Sequence, residues 1–81
     1  MTTKENDTKR YLENLKDESN AAALYLALAE YEKRPKLSEV YRRLAATEEA
    51  HARKWRERLK EAGVTVPEIH PSWRVETQVG S

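Results

Sequence analysis

There is no cysteine anywhere in the chain, so disulfides cannot staple it, and zinc ribbons and thiol-based catalysis are excluded. Glycine occurs only at positions 63 and 80 and proline only at 35, 67 and 71. Two long stretches are therefore left without a helix breaker. An excess of one charge is missing too: Lys and Arg total 15 against 14 Asp and Glu, for a net charge of +1. A dedicated nucleic-acid surface usually carries a strong basic excess. No apolar h-region follows Met1, so no secretory signal is visible, and no apolar run is long enough to cross a bilayer. These absences leave a soluble, cytoplasmic, helical protein as the expectation, with no nucleic acid and no direct membrane insertion. At 81 residues the chain is also short of core. Without disulfides, its remaining staples are a metal or a partner chain.

What is there is periodicity. The breakers divide the chain into pieces of about 6–34, 35–62 and 63–81. In the first, Tyr11, Leu15, Glu18, Ala22, Tyr25 and Ala29 recur in steps of four and three; in the second, Leu37, Tyr41, Leu44, Glu48, His51, Trp55, Leu59 and Ala62 do the same. Each set lies on one stripe of an amphipathic helix. Asn6, Asp7 and Thr8 are candidate N-caps, and a Thr2–Glu5 capping box would start the first helix earlier. Pro35 suits a first helical turn and disfavours helix at Arg34, while Gly63 suits the position just past a helix end. The connection is then very short, which makes the helices antiparallel neighbours. The fold expected is all-α: a two-helix hairpin over 1–63, followed by an extended or flexible tail over 64–81, pinned by Trp73 and fraying after Arg74.

The second helix is apolar on one stripe only. The first is apolar nearly all round between Ala21 and Tyr31, because Leu24, Ala27, Leu28 and Tyr31 add a second face. A helix that is apolar on every side expects cover on every side, which a lone hairpin cannot supply. Self-association follows, into an assembly larger than a dimer.

Three ionisable residues interrupt the apolar stripes: Glu18 on the first helix, Glu48 and His51 on the second. Burying carboxylates without a partner is costly, and a cation is one of the few partners that satisfies several at once. Glu48 and His51 are one turn apart on the same face. Residues at equal height in a hairpin are equidistant from its turn, and the midpoint between Glu18 and the Glu48/His51 pair falls near Lys33–Arg34, where Pro35 independently puts the bend. One Glu plus one Glu-x-x-His is half the ligand set of a di-iron carboxylate bundle, so a two-fold dimer would complete a four-helix site. Carboxylate and imidazole donors suit iron or manganese and tolerate zinc, and nothing favours Cu(I). Taken singly, each residue has an ordinary reading: Glu48 as a solvated neighbour of Glu49, His51 as an interface histidine, Glu18 as the partner of an Arg across a dimer. Tyr25, two turns from Glu18 on the same stripe, is either a hydrogen-bond donor or redox-active neighbour of the metal, or core packing. Trp55 reads as core, His70 as surface, and Asp17 as a residue off the inner stripe that attracts cations or merely solvates the helix.

Over about positions 10–62 these residues resemble the ferritin-like superfamily in its rubrerythrin-like branch. The spacing of Glu18, Glu48 and His51 looks like the two-helix encapsulated ferritins. Asp17-Glu18 followed by Ala22-Ala23-Leu24-Tyr25, then Tyr41-Arg42-Arg43-Leu44-Ala45 and Glu48-Glu49-Ala50-His51, looks like the ferritin-like domain attached to vacuolar-iron-transporter-type proteins. The resemblance implies a ferroxidase that oxidises Fe(II) at a di-iron site shared by two subunits, with Glu18, Glu48 and His51 as ligands and Tyr25 near the site. It also implies an iron-storage or detoxification role, a homodimer within a larger homo-oligomer, and an encapsulin shell as a partner and compartment. Two departures stand out. Val79-Gly80-Ser81 is at most a fragment of an encapsulin targeting peptide, and the membrane helices of the transporter-type relatives are absent. Two readings of other kinds remain beside it, a metal-free helical assembly module and an iron-sensing domain of a membrane transporter.

Overall fold

The computed structural model describes residues 3–70, with side chains from Asn6 onward. It is an antiparallel hairpin of α1 (Thr3–Tyr31) and α2 (Pro35–Glu61). The expectation of an all-α hairpin is met. Trp73, Arg74 and Val79–Ser81 lie outside the described residues. The first helix does not start at Asn6, Asp7 or Thr8, because α1 already includes Thr3; that is the earlier of the two starts foreseen.

Alanine sets the distance between the helices. Leu15, Ala22 and Ala29 on α1 and Ala45, Ala52 and Leu59 on α2 are buried, with Ser38 the one buried polar residue among the described residues. On each helix these positions recur every seven residues, the spacing that keeps one seam facing a partner helix. Leu15 and Ala52, Ala22 and Ala45, and Ala29 and Ser38 are pairwise equidistant from the Lys33–Arg34 bend. Two alanines at one level allow a close approach. At the open end the seam holds the larger Leu15 and Leu59.

α1 ends at Tyr31, three residues before Arg34, because the bend needs room. Arg34 is extended (φ −82°, ψ 115°), as Pro35 at the first helical position requires. In place of a side-chain cap, Glu32 accepts the Arg34 backbone N–H at 3.1 Å and its Nε at 2.7 Å. That contact holds the Glu32 carboxyl below its usual range, chiefly through the hydrogen bond from the Arg34 side chain. A second clasp lies inside the bend, where Ser38 Oγ donates to the Ala29 carbonyl at 2.7 Å and Arg42 Nη1 donates to Ser38 Oγ at 3.0 Å.

α2 closes with a Schellman arrangement. Gly63 takes φ +78°, its N–H donates to the Lys60 carbonyl, and the Val64 N–H donates to the Leu59 carbonyl. The left-handed glycine turns the chain back, and residues 64–70 carry no helix or strand. Val64, Val66 and Ile69 nevertheless pack against the Leu15, Ala52 and Leu59 cluster beside Leu12. On the way this segment borders a cleft with Arg53, Arg56 and Lys60, and then one with Lys16 and Asn20. It therefore lies over one of the two grooves of the hairpin.

Candidate metal centre

Helical phase sends the other groove's residues to the opposite side. Val40, Leu44, Glu48, His51 and Trp55 form one row of α2, and Glu18, Ala21, Tyr25 and Leu28 form one row of α1. Glu18 sits between buried Leu15 and Ala22, and Glu48 between buried Ala45 and Ala52. The alanines keep both carboxylates near the helix interface, so they are partly buried, at 26% and 24% side-chain exposure, while His51 at 52% stands at the rim.

The three side chains converge as their spacing predicts. One ligand atom from each of Glu18, Glu48 and His51 lies within 4.8 Å of the others. His51 Nδ1 is 3.4 Å from Glu18 Oε1 and 3.6 Å from Glu48 Oε1. Trp55 Nε1 donates to Glu18 Oε2 at 3.4 Å. Glu48 Oε1 is buried and receives no hydrogen bond, which is costly for a carboxylate oxygen unless a proton or cation sits there.

Two carboxylates this close cannot both ionise cheaply. Glu18 is the one held as an anion: a hydrogen bond from Glu48 pulls its pKa below the usual range, Trp55 and His51 add to the effect, and burial opposes it. Glu48 is pushed above the range by the same hydrogen bond, by burial and by the Glu18 charge. Metal-free, Glu48 keeps its proton to a higher pH than a lone glutamate would. A divalent cation would displace that proton and supply the charge that the orphaned oxygen lacks.

The residues fit such an ion: two hard carboxylates, one borderline imidazole and an opening toward solvent at His51. One hairpin offers few ligands for two ions. Tyr25, on the same row as Glu18, stacks on Tyr41 (6.4 Å between ring centroids, 21° between planes). Asp17 is exposed, and His70 is exposed beside Glu68 at 3.7 Å. Trp55, read from the sequence as core, does pack on the core cluster, but its hydrogen bond to Glu18 was not foreseen. Its position four residues after His51 put it on the right stripe, but the direction of its N–H depends on side-chain torsions that spacing does not fix.

Among the described residues no helix is long and apolar enough to cross a membrane. Neither a curated protein nor a solved structure matches the chain. A family model described as Rubrerythrin matches residues 11–79. That stretch includes both carboxylates and the histidine, and its family binds iron; on this match the chain belongs to the rubrerythrin family.

Proposed function

We propose that the chain is a half-ferritin whose copies pair through the Glu18/His51 side to form a di-iron ferroxidase site, with Fe(II) as the substrate. The observation that carries this reading is the meeting of Glu18, Glu48 and His51 ligand atoms within 4.8 Å, with Glu48 Oε1 buried and undonated. Pairing is supported by the surface around it. Leu28 (37% exposed), Leu44 (39%) and Val40 (46%) continue the same rows toward the bend, an exposed apolar margin around a site with too few ligands for two ions. A two-fold operator would bring a second Glu, Glu and His opposite the first.

In this reading Glu18 and Glu48 both hold the cation as carboxylates, and any proton held between them leaves to solvent as the ion enters. His51 at the rim is the first donor an arriving ion meets. Two Fe(II) each give up one electron; dioxygen takes both with two protons and leaves as hydrogen peroxide, or peroxide takes them and leaves as two waters. The protein contributes charge compensation, placement and open coordination positions. Mn(II) and Zn(II) suit the same donors as substitutes.

The test is native mass with and without Fe(II), followed by oxidation of added Fe(II) by the wild type and by Glu48→Ala. We expect iron-dependent pairing and loss of oxidation in the variant. Unchanged oxidation in Glu48→Ala overturns the assignment. Pairing that needs no metal, with no oxidation, leaves a helical assembly module; binding without turnover leaves a sensor or donor of iron.

A further inference from the structure

Glu18 touches different neighbours with its two oxygens. Oε1 faces His51 Nδ1 at 3.4 Å, and Oε2 accepts the indole N–H of Trp55 at 3.4 Å. A glutamate left alone turns freely about its last torsion, where the sp³–sp² preference is broad and roughly two-fold. Occupying one oxygen removes that freedom and aims the other oxygen at the histidine.

The bond is long, so its influence depends on how firmly the donor is held. Trp55 is held on several sides. Tyr11 stacks on it at 5.6 Å between centroids and 28° between planes. The Arg58 guanidinium lies 5.7 Å from its ring centroid and the Lys54 ammonium 5.9 Å, and the ring packs on the Leu15, Ala52 and Leu59 cluster. Arg58 also reaches the Tyr11 ring at 5.9 Å, as Arg10 does at 5.7 Å. Cations beside the π face draw electron density from the indole, which makes its N–H a better donor. The stack is thus both a clamp and a polariser.

We infer that Trp55 is a positioning residue of the metal centre: its indole N–H fixes the Glu18 carboxylate so that Oε1 is presented toward His51 and Glu48. This rests on the metal-binding reading above. The same ring serving only as core filler would explain the packing, but not an N–H directed at Glu18 Oε2.

The experiment is a double-mutant cycle on the full chain, read by the visible absorption of Co(II). Trp55→Phe keeps an aromatic ring against Tyr11 and removes the N–H. It is expected to weaken Co(II) binding about tenfold, as loss of an outer hydrogen bond to a ligand does, with little further loss when Glu18→Gln is already in place. Unchanged affinity, or the same factor in both backgrounds, overturns the inference, because a merely structural ring would cost both backgrounds equally. A wild type that takes up no Co(II) overturns the metal reading itself. In that case, or if Trp55→Phe does not fold, the ¹⁵N–¹H spectrum of the metal-free chain decides the positioning. The Trp55 indole resonance moves on Glu18→Gln if the bond exists, and an unmoved resonance overturns it.

Discussion

At the open end of the hairpin, where Tyr11 and Leu15 lie against Ala52, Trp55 and Leu59, two leucines are fully buried and the returning segment adds Val64, Val66 and Ile69. Toward the bend the same seam holds only Ala22, Ala29, Ala45 and Ser38, while Leu24, Leu26, Leu28, Val40 and Leu44 stay exposed. Buried apolar area is what stabilises a small domain, so the open end carries most of the hairpin's own stability. The bend half is held by close alanine contact and by the Glu32–Arg34 and Ser38–Ala29 clasps. Its large apolar side chains remain available to another chain. The candidate metal centre sits where the two regimes meet.

Leu59→Ala should cost about 3 kcal/mol, as other buried leucines do, and lower the metal-free Tm by roughly 12–24 °C. Leu24→Ala, at the bend, should stay within about 0.5 kcal/mol. Equal losses in thermal unfolding would erase the distinction between the two ends. At the boundary, His51→Ala should weaken Co(II) or Fe(II) binding by about a hundredfold, which is about 2.7 kcal/mol. It should leave the metal-free Tm nearly unchanged, because the imidazole is half exposed; calorimetric titration beside a melt checks both. Leu28→Lys with Leu44→Lys should leave the hairpin helical by circular dichroism yet halve the native mass found with Fe(II). A paired species that survives both lysines would place the partner elsewhere.

The smallest effect concerns the shared proton. Glu48 has its pKa raised from 4.5 in the folded chain, so its contribution to stability is complete below that value and is lost as pH rises through the raised pKa. Glu18 is lowered from 4.5, so its contribution is present above that value and is lost as pH falls through the lowered pKa. The metal-free Tm should therefore decline as pH rises from 4.5 through the raised Glu48 pKa. Glu48→Gln, uncharged throughout, should flatten that decline in melts with chelator present. An identical slope in wild type and variant would mean the pair does not share a proton.

Much of the hairpin was legible in the sequence because two independent signals agreed on its bend: Pro35, and the equal distance of Glu18 and Glu48/His51 from Lys33–Arg34. The convergence of those three side chains followed from the same count. The start of α1 was less legible, since Asn6, Asp7 and Thr8 all carry capping side chains yet sit inside the helix. Prolines at 67 and 71 obscured the packing of the segment after Gly63, although the alternation of Val64 and Val66 matches a chain with one face buried. The Trp55 contact and the division of charge between Glu18 and Glu48 depend on side-chain torsions and local desolvation, which periodicity does not encode.

The fold-back after Gly63 bears on whether an assembly can end. A hairpin with two apolar grooves presents two sticky sides, and contacts made through unlike sides propagate into open filaments unless the rotation happens to close. Here Val64, Val66 and Ile69 cover the open end of one groove. Pairing through the uncovered Leu28, Val40 and Leu44 side would match that side with itself, and a contact of that kind is satisfied by two.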